Sequence, residues 1–330
     1  MSKRIALMYG GASSEHEVSV MGYKYVSSLL KNTPYEILPI YIGRCGDWHV
    51  GDSSGAAAYP SAYGGGSLYT EYGHIGIDAA IPLLHGSFGE DGCIQGALEV
   101  LGIPYVGADV SSSALCIDKY YTKLLASSLG IPTLECVRFS SRTDAEYALN
   151  VCVEKLGFPM FIKPRRLGSS LGAHPVYDEG GFKAAFTAAM DEGDSFVIVE
   201  RMLTDKRELE CAFCELGRER IITPPGEVMI GGFYGYGEKY SGNTVTRAVA
   251  DISPRYSDAI RGLSRKIADA LRLRHLSRID FFMSGGEVYL NEVNTFPGFT
   301  RESLYPKMLE AAGIHPRDAL LSFIEDALSC

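Results

Sequence analysis

The chain is short of positive charge and has neither a long apolar run nor a second cysteine pair. Lys and Arg number 31 against 40 Asp and Glu, for a formal net charge of -9. That balance argues against a nucleic-acid or acidic-membrane partner, either of which favours a basic face. It leaves room for a phosphate site, which needs only a few local cations. No apolar stretch approaches the ~20 residues that span a bilayer. The basic start, MSKRIALMYGG, reaches glycine after a short apolar run, so it reads as a first β-strand and not as a signal peptide. Cys211 and Cys214 form a CxxC, but no second CxxC or CxxH follows at zinc spacing. In the alternating run ELECAFCEL, positions three apart face opposite ways, so this pair reads as packing. The eight cysteines lie mostly in apolar runs, as Cys93, Cys116 and Cys152 do, which is the usage of reduced thiols in a cytoplasmic protein. No Walker A loop is present, because Lys163 precedes the glycines that follow it. In GSSLG the central position between the two glycines is Ser170, so Ser169 does not stand where a serine-hydrolase nucleophile would.

What is present suits a well-packed protein. Apolar residues make up 46% and charged residues 22% of 330 positions, enough for substantial cores in two or three domains. A strand over 4–9 ends at Gly10–Gly11, and Ser13 or Ser14 can cap a helix over 17–30. Strands over 37–41, 79–84 and 104–106 alternate with a helix over 93–101. This alternation predicts a doubly wound parallel sheet, with sites beyond the carboxyl ends of its strands. Residues 44–76 are Gly- and Ser-rich and read as a surface excursion of low order. A helix over 118–129 leads into a smaller α+β segment, with helices over 145–156 and 181–190 and strands over 160–163 and 196–200. The last third holds a Gly/Tyr-rich loop at 231–246, a helix over 256–271 and strands over 277–283 and 287–291.

Four segments carry chemistry. In RIDFFMSGGEVYLNEVNTFPG, Asp280, Glu292 and Asn294 fall on neighbouring strands. Three hard oxygen ligands suit Mg²⁺, which takes one or two carboxylates plus substrate phosphates. Apolar residues flank Asp280, where an unpartnered charge is rare, so ordinary surface acids are the weaker reading. Arg278 adds a cation beside them. In FIKPRRLGSSLG, a strand delivers Lys163 to a Gly/Ser turn whose backbone N–H groups can approach phosphate oxygens. In LLHGSFGEDGCIQGALE, His85 follows a buried strand and Glu90–Asp91–Gly92 leads into a helix, which helix capping would also explain. In GGASSEHEVS, Glu15 lies at a helix start, which helix-dipole chemistry would also explain.

Parity adds a constraint on the last hairpin. If Asp280 and Glu292 share metal ions, they lie on one face. A regular two-residue turn at Gly285–Gly286 pairs Ser284 with Glu287, sets Asp280 opposite Asn291 and turns Glu292 away. An odd-length loop, or an equivalent bulge, sets Asp280 opposite Glu292 and Arg278 opposite Asn294. Ile279, Phe281, Tyr289 and Val293 are then expected on the other, apolar face.

Together HGSFGEDG and RIDFF…NEVNTFPG resemble the two diagnostic motifs of the D-alanine–D-alanine ligase family, in the right order across the whole chain outside 44–76. The resemblance implies an α/β fold of three-domain ATP-grasp architecture. An N-terminal doubly wound domain would span 1–117, a central ATP-grasp subdomain 118–225, and a C-terminal subdomain with the metal site and closing loop 226–330. It implies ATP as co-substrate and two Mg²⁺ ions, or Mn²⁺ in their place, held by Asp280, Glu292 and Asn294. Lys119 and Lys163 would meet the ATP phosphates, and Ser169, Ser170 and Phe233 would complete the nucleotide site. Glu200, Arg201, Met202 and Leu203 would form the adenine hinge, and Glu208 would bind the ribose. Arg278 and the backbone of Gly298 would stabilise the oxyanion. Glu15 would receive the first substrate's ammonium, Lys239 and Ser303 would hold the second substrate's carboxylate, and His85 and Leu304 would also bind substrate. Ser169 and Tyr240 would join Glu15 in a hydrogen-bonded triad that closes the loop.

The implied product is D-alanyl-D-alanine, formed through an acyl phosphate for peptidoglycan and cell-wall synthesis, by a cytoplasmic homodimer. Tyr240 and Leu304 match the type that takes D-alanine. The alternative is a D-alanine–D-serine ligase of the vancomycin-resistance kind, to which IGRCGDWH and NEVNTFPGFT are also similar. Another carboxylate–amine ligase of the superfamily would lack HGxxGEDG, and a non-catalytic nucleotide binder would lack a metal ligand or Arg278. Gly235 departs from the Asp that many members carry in the closing loop.

Overall fold

The structure, a computed structural model, describes residues 2–61, 65–168, 171–229 and 245–329. The chain opens with β1 (Arg4–Gly10), α1 (His16–Leu29) and β2 (Glu36–Ile42). The strands β3 (Trp48–Val50), β4 (Tyr59–Pro60), β5 (Ser67–Thr70), β6 (Gly73–Gly76) and β7 (Ala79–Pro82) follow. β1 pairs in parallel with β2 and β7, in the order β3-β2-β1-β7. Side chains alternate across a strand, and both faces of β1 are covered. Ile5 and Leu7 pack with Leu320, Phe323 and Ile324, from the far end of the chain. Ala6 and Met8 pack with Ile94 and Leu98 of α2 (Cys93–Leu101). The sheet is therefore covered on both faces, as the alternation predicts.

Four local expectations need correction. The described residues of 44–76 are not a low-order excursion: β4, β5 and β6 form an antiparallel sheet whose Leu68 joins Met8 and Ile40 in one core. Neither Ser13 nor Ser14 caps α1, because its first flanking residue is Glu15, with no side-chain capping bond. The strand at 104–106 shrinks to a single bridge, Ala80 to Tyr105. An unforeseen helix, α3 (Val110–Ile117), is capped by Asp109, which accepts from Ser112 N at 2.7 Å.

Next come α4 (Lys119–Ser128), β8 (Cys136–Ser140), α5 (Ala145–Lys155), β9 (Met160–Pro164), β10 (His174–Val176), α6 (Glu179–Asp191) and β11 (Phe196–Arg201). Their sheet runs β10-β9-β11-β8, all antiparallel, with α5 and α6 packed on it through Leu149, Phe182 and Phe186. The last part comprises β12 (Arg207–Leu216), β13 (Glu219–Ile222), β14 (Gly226–Met229), β15 (Val245–Arg247), α7 (Pro254–Ala270), β16 (Leu276–Ser284), β17 (Glu287–Asn294), α8 (Leu304–Ala311) and α9 (Pro316–Ser329). The order β15-β14-β12-β16-β17, with β13 on β12, makes one sheet that starts at Arg207. A division at 225 would cut through it, so we propose the boundary between the central and C-terminal units at 202–206. Cys211 and Cys214 of β12 lie in different cores, as their spacing predicts. Among the described residues no helix is long and apolar enough to cross a membrane.

Candidate active site

The β16–β17 hairpin sets the site. Gly285 and Gly286 have φ of +58° and +85°, the two positive values of a tight I′-type turn, and Ser284 pairs with Glu287. A regular ladder from this turn would set Asp280 opposite Asn291. The register shifts between Asp280 and Phe281, so Asn291 is the extra residue of a β-bulge. Beyond it Asp280 faces Glu292 and Arg278 faces Asn294. The bulge thus supplies the parity that the turn does not. It also corrects one placement: Tyr289 lies opposite Phe282, on the face of Asp280, and Leu290 takes the core position opposite Phe281.

Two cavities meet at this hairpin. One, of about 800 Å³, is lined by Glu15, His85, Asn294, Gly298, Ser303 and Leu304, among others. The second, of about 560 Å³, is lined by Lys163, Met202, Leu203, Glu208 and Asp280, among others. Lys119, Glu210, Arg278 and Glu292 line both, and so form the wall between them.

Charge is concentrated in that wall. Arg278 donates from Nε to Asp280 Oδ1 at 2.8 Å and from Nη2 to Oδ2 at 2.7 Å. Its Nε also lies 3.1 Å from Glu210 Oε2. Burial opposes the charge on Arg278, but Asp280 and Glu210 outweigh it and hold the guanidinium well above its ordinary pKa. Asn294 Nδ2 donates to Asp280 Oδ2 at 3.0 Å, and Lys119 Nζ lies 3.3 Å from Glu292 Oε2. Two carboxylates and one amide oxygen on a shared face fit Mg²⁺ by their chemistry. Among the described residues no group of three or more His, Cys, Asp or Glu gathers as a metal site, so Asn294 is needed to complete a three-residue set.

The nucleotide-side residues divide. Met202 and Leu203 line the second cavity, whereas Arg201 is exposed. The carboxylate of Glu200 turns to two lysines: Oε1 accepts from Lys163 Nζ at 2.6 Å and Oε2 lies 3.0 Å from Lys123 Nζ. Burial alone would raise the pKa of Glu200, but Lys123 and Lys163 bring it down to about 2. Lys163 also donates to Oδ1 of the bulge residue Asn291, at 3.4 Å.

On the other side, Glu15 is hemmed in by backbone. A β-carbon at Gly86 or Gly168 would stand 3.0 or 3.1 Å from its Oε2, so any larger residue at either place would push the Glu15 carboxylate aside. His85 and Glu90 hold the backbone of one residue from both sides: Phe296 O accepts from His85 Nδ1 at 3.2 Å, and Phe296 N donates to Glu90 Oε1 at 3.2 Å. Burial, then the charge of Glu15, pushes the carboxyl of Glu90 up to about 7. This pair ties the HGSFGEDG loop to the segment that carries Gly298. Ser303 flanks the start of α8 and accepts from Thr300 N at 3.1 Å. Ser169, Ser170, Phe233, Lys239 and Tyr240, together with Gly235, lie outside the described residues.

Sequence reasoning missed Lys123, Glu210 and Asn291. Only Lys123 had a readable signal: four residues after Lys119 on one helix, it shares the lysine's face. Asp118 was likewise unforeseen as an anchor. It is fully buried, caps α4 through Tyr121 N at 3.3 Å, and lies 3.2 Å from Arg165 Nε at the end of β9.

Known proteins share this arrangement throughout the chain. Residues 4–108 match the family model for the D-ala D-ala ligase N-terminus, and residues 125–325 match the one for the C-terminus. A D-alanine--D-alanine ligase of a Thermoanaerobacter species is 38% identical over 94% of this chain and 92% of its own length. One from Deinococcus radiodurans is 38% identical over 99% of each. The crystal structure of D-alanyl-alanine synthetase A from Vibrio cholerae superposes with a TM-score of 0.91 at 34% identity, covering 100% of both chains. The VanG D-Ala:D-Ser ligase from Enterococcus faecalis gives 0.88 at 34% identity, covering 99% of this chain and 100% of its own. With the two-cavity wall, the matched motifs and these full-length likenesses together, the chain belongs to the D-alanine–D-alanine ligase family of ATP-grasp enzymes.

Proposed function

We propose that the chain joins two D-alanines at the expense of ATP, with ATP in the cavity of Lys163 and the amino acids in the cavity of Glu15. The single observation that carries this reading is the shared wall: Lys119, Arg278 and Glu292 face both cavities. A phosphoryl group leaving one substrate and reaching the other crosses that wall.

A carboxylate is a poor electrophile. Attack of a D-alanine carboxylate oxygen on the γ-phosphorus, with ADP leaving, gives an acyl phosphate. The amine of the second D-alanine then attacks the acyl carbon, and phosphate departs with the C–N bond formed and the amine proton released. Lys119 and Lys163 hold the phosphates, and positioning plus charge neutralisation suffices for the transfer. Arg278 and the Gly298 N–H face the oxyanion of the second step. Glu15 takes the ammonium of the first substrate, and Ser303 the carboxylate of the second. When bound at Asp280, Glu292 and Asn294, Mg²⁺ neutralises charge developing on the phosphates. On the family resemblance alone, the active form is a cytoplasmic homodimer, which sedimentation of the purified protein tests for assembly state.

Phosphate release from ATP, compared across D-alanine, D-serine and L-alanine, tests the substrate. D-alanine should be preferred at both subsites, because Leu304 gives a serine hydroxyl nothing to pair with. An apolar pocket rejects an added hydroxyl by only ~10²-fold, so slow D-serine incorporation is expected. A higher kcat/KM for D-serine than for D-alanine at the second subsite would overturn the reading in favour of the D-serine class. Turnover with L-alanine alone would overturn it altogether.

A further inference from the structure

Glu210 has no part in the scheme above, yet it stands in the wall between the cavities. It lies on β12 directly across from Asp280 on β16, so the two carboxylates share a face. Asp280 is fully engaged: Oδ1 accepts from Arg278 Nε at 2.8 Å, and Oδ2 accepts from Arg278 Nη2 at 2.7 Å and Asn294 Nδ2 at 3.0 Å. A divalent cation approaching Asp280 meets a guanidinium already in place. A cation taking either oxygen competes with the guanidinium for it, which favours Arg278 turning aside. A buried guanidinium that loses its carboxylate is strongly unfavourable unless another takes over. Arg278 Nε already lies 3.1 Å from Glu210 Oε2. The side chain can therefore turn about that contact without being left uncompensated.

We propose that Glu210 is a positioning residue that takes over Arg278 when a divalent cation claims Asp280, so that the two cations exchange places on the wall instead of competing for it. The proposal rests on the assignment of Asp280 as a metal ligand. It also assigns the order of events: Arg278 leaves Asp280 as the metal arrives, and is then held near both cavities, where an oxyanion forms.

The test is a double-mutant cycle read by Mn²⁺ affinity, not by turnover. Mn²⁺ is titrated into the full-length protein with a non-hydrolysable ATP analogue and followed by electron paramagnetic resonance. Glu210→Asp keeps the charge but withdraws it from Arg278, and should weaken Mn²⁺ binding by about 10-fold, within the range for coupled neighbours. Glu210→Gln, which keeps the length and removes the charge, should do at least as much and serves if the shorter side chain unfolds the strand. In an Arg278→Met background, where nothing needs holding, Glu210→Asp should change Mn²⁺ affinity by less than about 3-fold. Equal weakening in both backgrounds would make Glu210 a direct ligand and overturn the proposal. So would wild-type affinity in both Glu210 variants. Asp280→Asn separates the two levels: if it leaves Mn²⁺ binding intact, the metal assignment itself fails and takes the proposal with it.

Discussion

Replacing Arg278 with methionine should lower kcat by about 10²–10³, the scale for losing one preorganised oxyanion donor, while the KM for ATP changes little. The expectation follows from where Arg278 stands. It lines both cavities, whereas Lys163 lines only the nucleotide side. Lys119 and Lys163 remain in the variant, so in the proposed scheme the phosphates keep their cations. Methionine keeps much of the length and none of the charge. Asp280 and Glu210 would then face each other across β16 and β12 without the guanidinium between them. Some loss of stability should accompany the loss of rate, and a urea midpoint measured beside the kinetics separates the two. Arg278→Lys should recover only part of the rate, because an ammonium cannot reproduce a planar two-pronged donor. Loss of ATP binding with kcat intact would reverse the assignment and place Arg278 on the nucleotide.

Glu200→Ala should destabilise the fold by about 3–5 kcal/mol, the cost of removing one partner from a buried ion pair. Glu200 is buried between Lys123 and Lys163, which are themselves nearly inaccessible. Its removal leaves two ammonium groups facing each other without a carboxylate. Lys163 also loses the contact that aims it, so the KM for ATP should rise as stability falls. The pH dependence has a definite sign. The carboxyl of Glu200 falls from its ordinary 4.5 to about 2 in the folded chain. Its contribution is therefore complete above 4.5 and is lost as pH falls towards 2. Acid unfolding of the wild type should steepen over that window, and Glu200→Gln should flatten the same stretch. A variant as stable as wild type, with an unchanged acid limb, would show that the Lys123–Glu200–Lys163 cluster does not hold the site.

What was legible in the sequence had local causes. A short apolar run ending at Gly10–Gly11 marked β1, and parity required an odd insertion between the Gly285–Gly286 turn and Asp280. Only the form of that insertion was open. Two glycines with positive φ close the tight turn unaided, so the extra residue moved to Asn291, where its amide meets Lys163. Carrying the wrong parity through the turn also put Tyr289 on the wrong face. What was hidden depends on contacts between distant segments. Lys123 shares a helix face with Lys119, but its carboxylate partner appears only when β11 delivers Glu200 to it. Glu210 reads as an ordinary strand acid until β12 pairs with β16. Glu200 itself was expected at a hinge, because nothing local reveals that its side chain turns to the lysines. In 44–76, glycine and serine outnumber the few buried positions, and strands of two to four residues are too short to show a period. The proposed boundary at 202–206 rests on a pairing that nothing local announces, since β12 joins its sheet through residues some 70 positions later.

The central claim is that a D-alanine carboxylate is activated by phosphoryl transfer across the wall of Lys119, Arg278 and Glu292. Turnover of ATP with D-alanine labelled at both carboxylate oxygens with ¹⁸O tests it directly. In the scheme above, one carboxylate oxygen attacks phosphorus and leaves with the phosphate when the amide forms. The released inorganic phosphate, read by its ³¹P shift or by mass, should therefore carry one ¹⁸O for each dipeptide made. Phosphate without the label, at the same yield of dipeptide, would mean that the carboxylate never bonds to phosphorus and would contradict the account.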